Sequence, residues 1–397
     1  MSLKFSTRCV RLTKTEDPFG AVAPPIYQTA TFRQPSALEF GKYDYTRSGN
    51  PTRTLLEQQL AELEGGAYAS VFTSGMAAIT ALTRICDRGD ELIAGDDLYG
   101  GTVRLLEQVL SRQGITTRYV DTTNLEAVTN VLSPRTKLIL IETPSNPLLR
   151  ISDICGLSRI AQAANVLLAV DNSMMSPILQ RPLQLGVDVV IHSATKFLCG
   201  HSDVTAGALI TSNIDLHEQI AFHQNAEGAA LAPFEAWLLL RGVKTLALRV
   251  ERQAATARKI ARFLKAHEAV RQVYYPGLAD HPGHDLHRTQ TEGDGAVVSF
   301  TTGDAEFSKR IVEATELCTI AVSFGAVGST ISLPYHMSHA SIPGSLKRSL
   351  APPADLVRLS VGIEDADDLI EDLNQAIKTA SHLDRVSAGS GSDLVLR

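Results

Sequence analysis

Between residues 69 and 210, short apolar segments alternate with segments of helical periodicity, and this alternation constrains the fold more than any other sequence feature. The apolar segments span residues 69–72, 91–94, 117–120, 137–141, 166–170, 187–191 and 206–210. The helical segments span residues 52–63, 76–86, 102–112, 125–132 and 154–164. Strands that are apolar throughout are covered on both faces, which is typical of a parallel sheet enclosed by helices. The pattern therefore predicts a layered α/β domain with a mostly parallel sheet.

A change of pattern near residue 245 indicates a second, smaller domain. The 397 residues are too many for one compact core and sufficient for two. A long helical stretch covers residues 244–266, and its basic residues, Arg249 among them, are expected on a solvated face. It is followed by predicted strands at 296–301 and 357–361 and predicted helices at 305–315 and 365–380. We predict an N-terminal arm over 1–50, an α/β domain over 51–245, an α+β domain over 246–385 and a flexible tail over 386–397.

Composition and charge exclude several classes of protein. The net charge of −6 without a basic patch argues against a nucleic-acid partner, and no apolar run approaches the ~20 residues that span a membrane. Five scattered cysteines without a CxxC pair predict neither a disulfide framework nor a zinc site. The histidines at 281, 284 and 287 are interpreted as part of a surface loop, so no metal site is expected. Because the first residues lack the apolar core of a signal peptide, a cytoplasmic location is expected.

The segment Ile191-His192-Ser193-Ala194-Thr195-Lys196 carries the first chemical signal. On an extended backbone Ser193 and Thr195 face one side and Lys196 the other, which suits a cofactor with a phosphate and a carbonyl group. A lysine that loses its proton can form an imine with such a carbonyl. Taken alone, the segment is better explained as a strand end that leads into a solvated loop.

Two further segments favour the cofactor interpretation. An apolar strand ends in Asp171, where a carboxylate could pair with a pyridinium nitrogen, although a lone aspartate there is more often a cap or a turn former. Phe72-Thr73-Ser74-Gly75-Met76 combines a strand, a glycine turn and a helix start, whose free backbone amides can bind a phosphate. Together, the three segments predict a pyridoxal phosphate site.

The sequence resembles the Cys/Met-metabolism pyridoxal phosphate enzymes, which include the cystathionine lyases and synthase and methionine γ-lyase. The resemblance extends over roughly residues 7–380 and rests on the motifs YDYTRSGNPT, FTSGMAA, GDDLYGG, ETPSNP, VDNS, HSATK, GHSD and RLSVGIED. It implies the fold of type I pyridoxal phosphate-dependent transferases, with a large, mostly parallel-sheet domain and a smaller α+β C-terminal domain. It also implies a homo-oligomer, usually a tetramer, in which neighbouring subunits share active sites.

The resemblance implies three catalytic residues. Lys196 would carry the cofactor as an imine and then transfer protons, and Asp171 would pair with the pyridine nitrogen. Tyr99 would stack on the cofactor ring, a contact worth about 0.5–1.5 kcal/mol beyond burial. Either Lys196 or Tyr99 would protonate the departing thiolate.

The resemblance also implies binding residues. The expected phosphate contacts are Gly75, Met76, Ser193 and Thr195, with Tyr45 and Arg47 contributed by a neighbouring subunit. Arg358 would bind the substrate carboxylate, for which its planar guanidinium is suited. Asn146 and Ser323 would help to place that carboxylate and the cofactor's ring oxygen, and Tyr45 is also expected near the substrate.

Within the family, segments such as HSATKFLCGHSDV resemble the plant-type β-lyases, which implies β-elimination of cystathionine to homocysteine, pyruvate and ammonia in methionine biosynthesis. Many relatives with γ-chemistry carry a glutamate at the position of Gly328, and methionine γ-lyases carry a cysteine at that of Gly101. These departures weigh against γ-lyase and γ-synthase activities, which remain the alternatives. A regulator without catalytic activity is disfavoured because four residues are retained: Lys196, Asp171, Tyr99 and Arg358.

Overall fold

The computed structural model describes residues 3–11, 17–340, 342, 344 and 346–390. Seven strands form the larger sheet: β1 (Tyr68–Phe72), β2 (Glu91–Gly95), β3 (Thr116–Val120), β4 (Thr136–Glu142), β5 (Leu167–Asp171), β6 (Val189–His192) and β7 (Gly207–Thr211). Their order is β1-β7-β6-β5-β4-β2-β3. β7 runs antiparallel to β1 and β6, and all other neighbours are parallel. The predicted mostly parallel sheet is therefore confirmed.

The smaller sheet contains five strands: β8 (Gln272–Tyr274), β9 (Val297–Thr301), β10 (Thr319–Ile320), β11 (Thr330–Ser332) and β12 (Val357–Ser360). Their order is β10-β11-β12-β9-β8, and only β10 and β11 are parallel. One face of this sheet packs on a cluster of apolar side chains from the neighbouring helices. The domain boundaries at 50, 245 and 385 remain predictions.

Helices cover both sheets. The α-helices are α1 (Phe5–Val10), α2 (Pro51–Glu64), α3 (Gly75–Thr83), α4 (Gly100–Leu105), α5 (Leu125–Val131), α6 (Ile154–Ala164), α7 (Ser176–Leu179), α8 (Ile214–Ala226), α9 (Pro233–Val243), α10 (Leu246–Ala266), α11 (His284–Gln290), α12 (Ala305–Ala314), α13 (Lys347–Leu350) and α14 (Ala366–Ser390). A π-helical turn (Leu106–Leu110) and a 3₁₀ turn (Ser111–Gln113) extend α4. α14 enters the segment 386–397 that was expected to be flexible, of which residues 391–397 lie outside the described part.

The apolar strands of the larger sheet separate two cores. Along β4, Ile139 and Ile141 pack into one cluster of buried side chains, whereas Leu138 and Leu140 pack into another. Successive side chains of a strand point to opposite faces, so both faces of this sheet are covered. The absence of polar alternation in the sequence follows directly from this double burial.

One expectation about α10 is wrong. Arg249 does not lie on a solvated face but is buried, with 4% of its surface exposed. Its guanidinium donates hydrogen bonds to the carbonyl oxygens of Phe197 (2.7 Å) and Gly242 (2.9 Å). The first bond attaches α10 to the turn that contains Lys196, and the second attaches it to α9. Within the part of the chain that the structure describes, no helix is both long and apolar enough to cross a membrane.

Candidate active site

A cavity of about 490 Å³ lies at the carboxyl end of the larger sheet, the edge at which α/β proteins bind ligands. Ten of the twelve residues predicted for the site line it: Gly75, Met76, Tyr99, Asn146, Asp171, Ser193, Thr195, Lys196, Ser323 and Arg358. The remaining two, Tyr45 and Arg47, lie elsewhere. Residues from both sheets thus meet in one cavity.

Lys196 lies in a turn rather than on an extended strand. β6 ends at His192, and the backbone N–H of Lys196 donates to the carbonyl oxygen of Ser193 (3.1 Å). The predicted alternation of side chains along a strand is therefore wrong for this segment, although Ser193, Thr195 and Lys196 all reach the cavity. The hydroxyl of Thr195 donates to the carbonyl oxygen of Ala206 (3.2 Å), which ties the turn to the start of β7.

The amine of Lys196 donates a hydrogen bond to Oγ of Ser323 (2.5 Å). Burial, and after it the guanidinium of Arg358, lowers the pKa of this amine to about 8, while Asp171 opposes the shift. An amine with this pKa is partly neutral near physiological pH and can act as a nucleophile or a base. Ser323 has a φ of +84°, a left-handed conformation that non-glycine residues seldom adopt, so the backbone that places its hydroxyl is strained.

Asp171 ends β5 and faces the same cavity. Its Oδ1 accepts a hydrogen bond from the backbone N–H of Ser173 (2.9 Å), and Oγ of Ser173 accepts one from the N–H of Ser193 (2.6 Å). Burial raises the pKa of Asp171, while the bonds from Ser173 and the neighbouring His192 and Lys196 oppose this rise. A fixed carboxylate on the cavity wall can accept the N–H of a pyridinium ring.

A buried polar cluster lies behind Asp171. Nε2 of His192 is 2.5 Å from Oε1 of Glu64, and each side chain is 1% exposed. The amide of Asn172, the residue after Asp171, donates to the same Oε1 (2.9 Å). Because this amide also donates to the carbonyl oxygen of Gln180, the cluster fixes the loop that follows β5.

The N-terminus of α3 borders the opposite end of the cavity. Ser74 caps this helix by accepting the N–H of Ala77 (3.0 Å), and the N–H groups of Gly75 and Met76 precede the first intrahelical bonds. A Cβ at Gly75 would lie 2.9 Å from Cβ of Ser193, so the close packing of Ser193 on the start of α3 requires a glycine at this position. Backbone amides at a helix N-terminus bind anions such as phosphate.

Arg358 on β12 is 2% exposed and links the two sheets. It donates to Oδ1 of Asn146 (2.7 Å) and to the carbonyl oxygen of Ser323 (2.9 Å). Its buried Nε has no hydrogen-bond partner among the described residues, and burial lowers the pKa of the guanidinium to about 10. An unsatisfied, buried cationic donor on the cavity wall is suited to a carboxylate ligand.

Tyr99 lies at the start of α4 and is 38% exposed. Its ring lies over Gly101, where a Cβ would come within 2.4 Å of Cε1 of the ring. Its backbone N–H donates to Oε2 of Glu142 (3.2 Å). Glu142 also lines the cavity, but no role was predicted for it. Its place at the end of β4, directly before a loop, repeats the pattern that singled out Asp171 and was the available signal.

Tyr45 and Arg47 lie beside a second cavity of about 410 Å³, away from Lys196 within the chain. The guanidinium carbon of Arg47 is 5.4 Å from the centroid of the Tyr45 ring. Large apolar side chains around this arm are exposed, including Phe19 (94%), Leu38 (91%) and Phe40 (73%). The contribution of Tyr45 and Arg47 to a neighbouring subunit's site stays a prediction.

The residues of the first cavity fit pyridoxal phosphate: an amine for its aldehyde, a strand-end carboxylate for its ring nitrogen and helix amides for its phosphate. The family model "Cys/Met metabolism PLP-dependent enzyme" matches residues 6–378. The chain is 54% identical over 374 residues to a chloroplastic cystathionine beta-lyase of Arabidopsis thaliana, covering 94% of this chain and 81% of the relative. It is 49% identical to a cystathionine gamma-lyase of Bacillus subtilis (90% and 95% covered).

Among solved structures, the cystathionine gamma-lyase of Lactobacillus plantarum complexed with L-serine superposes with a TM-score of 0.93. It is 43% identical, and the match covers 96% of this chain and all of that one. The shared architecture is that of fold type I. The chain belongs to the Cys/Met-metabolism family of pyridoxal phosphate-dependent enzymes.

Proposed function

We propose that this chain is a carbon–sulfur lyase that cleaves L-cystathionine by β-elimination, with water consumed and homocysteine, pyruvate and ammonia released. The observation that carries this proposal is the position of the Lys196 amine, which faces the cavity between Asp171 and Arg358. The similarity to relatives named cystathionine beta-lyase supports the same substrate.

Pyridoxal phosphate, when bound, supplies an electron sink for the negative charge that develops at the substrate's Cα. Lys196 binds the cofactor and removes the Cα proton, since its lowered pKa makes a neutral amine available. Asp171 holds the ring nitrogen in its protonated form. Arg358 binds the α-carboxylate and thereby orients the Cα–H bond toward Lys196. Lys196 or Tyr99 then delivers a proton to the departing sulfur.

γ-Elimination is the second candidate, because a relative named cystathionine gamma-lyase is 49% identical. That chemistry needs a second proton to be removed, at Cβ. Gly328, where many γ-acting relatives carry a glutamate, offers no base. A Cβ at Gly328 would meet nothing within 4 Å, so crowding does not explain why a side chain with a carboxylate is missing at this position. The absence of this base favours β-elimination.

Product analysis distinguishes the two reactions. Holoenzyme is incubated with L,L-cystathionine, and the keto acid and the thiol are identified by mass spectrometry. We expect pyruvate with homocysteine, whereas 2-oxobutyrate with cysteine would contradict the proposal. A Lys196→Ala variant, prepared in parallel, should form neither product. If neither product forms with the unchanged enzyme although cofactor is bound, the chain is not a cystathionine lyase.

We further propose that the enzyme is a homotetramer built from two dimers and that it is cytoplasmic. In each dimer, Tyr45 and Arg47 of one subunit would contact the phosphate in the other subunit's cavity. The exposed apolar side chains of the arm support burial against a second copy. Light scattering and cell fractionation test the assembly and the location.

Hybrid dimers test the shared site. Arg47→Ala and Lys196→Ala subunits carrying different tags are co-expressed, and the doubly tagged species is isolated. If Arg47 acts in the neighbouring subunit, one of the two sites in a hybrid lacks both residues and the other is intact. Because the doubly tagged tetramers include some that consist of two homodimers, they should recover up to about half of the unchanged activity and more than either variant alone. A hybrid no more active than Arg47→Ala alone would show that Arg47 does not act across the interface.

A further inference from the structure

Three carboxyl groups lie together beside the cavity, and two of them, those of Glu142 and Asp97, are buried. Glu142 and Asp171 are paired in the register of β4 and β5, so their side chains leave the same face of the sheet at its carboxyl edge. Asp97 precedes α4 and is buried, with 8% of its surface exposed. The charges of Asp171 and Asp97 both act on Glu142.

The three groups differ in how the protein compensates their charge. Asp97 accepts hydrogen bonds from the hydroxyl of Ser145 and from the N–H of Leu148 (3.3 Å), and the charge of Arg150 favours its ionised form. Asp171 has the N–H of Ser173 and two basic side chains, His192 and Lys196.

Glu142 has less compensation. It accepts the backbone N–H of Tyr99, at 3.4 Å and 3.2 Å from its two oxygens, and the backbone N–H of Asn146 also favours its ionised form. It forms no ion pair within the described part of the chain, and Arg358, a cation that senses its charge, donates instead to Asn146 and Ser323. Glu142 is buried, and a buried carboxyl group beside a second carboxylate does not ionise without compensation.

We propose that Glu142 is held as a neutral carboxylic acid and acts as a positioning residue. Its carbonyl oxygen accepts the N–H of Tyr99 and thereby fixes the start of α4. Because Glu142 is neutral, Asp171 is the one anionic carboxylate of the pair beneath the cofactor ring. Burial raises the pKa of Glu142 well above its usual range, and Asp171 and then Asp97 raise it further, which agrees with this protonation state. The inference rests on the cofactor-binding role proposed for the cavity and is independent of the substrate.

The test compares two replacements of Glu142. Glu142→Gln keeps the shape and the acceptor but cannot ionise, so the dissociation constant of pyridoxal phosphate should stay within about twofold of the unchanged value. Glu142→Leu removes the acceptor and leaves the N–H of Tyr99 unsatisfied, so cofactor binding should weaken about tenfold. Both constants are measured by titrating apoenzyme with pyridoxal phosphate and following absorbance, without reference to turnover.

Infrared spectroscopy reads the protonation state directly and does not depend on either variant's affinity. The apoenzyme at pH 7 should show a carboxylic acid carbonyl band that is missing in Glu142→Gln and present in Glu126→Gln, a control on the exposed face of α5. Absence of this band, or a loss of cofactor affinity in Glu142→Gln as large as that in Asp171→Asn, would overturn the proposal. Failure of the proposed β-elimination would leave these measurements unaffected.

Discussion

The two charges that flank Lys196 should shift its pKa in opposite directions. The pKa of this amine is about 8 instead of 10.5, because of burial first and the guanidinium of Arg358 second, while Asp171 opposes both. Replacing Arg358 by Gln removes a repulsion on the ammonium form, so the pKa should rise. Replacing Asp171 by Asn removes an attraction, so the pKa should fall.

The size of the effect follows from the same values. Lowering a pKa from 10.5 to about 8 corresponds to ~3.4 kcal/mol of preference for the neutral amine. At pH 8 about half of the amines are then neutral, against ~0.3% for an unperturbed lysine. Because burial is the larger cause and is unchanged in Arg358→Gln, we expect the pKa of Lys196 in that variant to recover only to about 8.5–9.

Reductive methylation of apoenzyme measures this pKa directly. Only the neutral amine reacts, so the extent of labelling at Lys196 is followed by peptide mass spectrometry across pH, with the exposed Lys309 as an internal reference. The reaction of unchanged apoenzyme should rise with an apparent pKa near 8. The reasoning would be refuted if Lys196 titrated together with Lys309, or if both variants shifted its pKa in the same direction.

Two further predictions concern stability and are checked by urea denaturation at equal enzyme concentration. In Gly207→Ala, the new Cβ would lie 2.1 Å from the carbonyl oxygen of Ser74, so the N-terminus of α3 must shift. We expect the free energy of unfolding to fall by about 1–3 kcal/mol and cofactor binding to weaken. Unchanged stability and affinity would contradict the packing described. In Glu64→Leu, the buried side chains of His192 and Asn172 lose their common hydrogen-bond acceptor, which should lower the free energy of unfolding by at least about 2 kcal/mol. The control is the surface variant Arg84→Gln, which should lower it by about 0.5 kcal/mol. A smaller loss in Glu64→Leu than in this control would show that the cluster does not stabilise the fold.

The layered fold was readable from the sequence because burial on both faces leaves a clear mark on strand composition. The predicted strands coincide with β1–β7 to within two residues. The direction of a strand leaves no such mark. β7 is as apolar as the parallel strands of the same sheet, and its antiparallel orientation depends on the connection between Lys196 and Gly207, which forms turns and loop rather than a helix.

Short motifs identified ten of the 22 residues that line the cavity but not their geometry. Lys196 reaches the cavity from a turn, which periodicity does not distinguish from a strand end over four residues. Arg249 is buried because carbonyl oxygens of Phe197, in the turn after Lys196, and of Gly242, in α9, accept its hydrogen bonds, and a basic helix in sequence gives no sign of such acceptors. Tyr45 and Arg47 lie beside the second cavity of this chain, and their role in a neighbouring subunit stays a prediction.

The cavity draws its two kinds of binding group from different sheets. The residues expected to hold the cofactor follow strands of the larger sheet, whereas Arg358 lies on β12 of the smaller sheet and Ser323 lies in the loop between β10 and β11. We therefore expect substitutions in residues 322–340 to change which amino acid is accepted more than they change cofactor binding. This separation gives a lineage an evolutionary route from one leaving group to another through a few changes, and it identifies the segment to randomise in directed evolution.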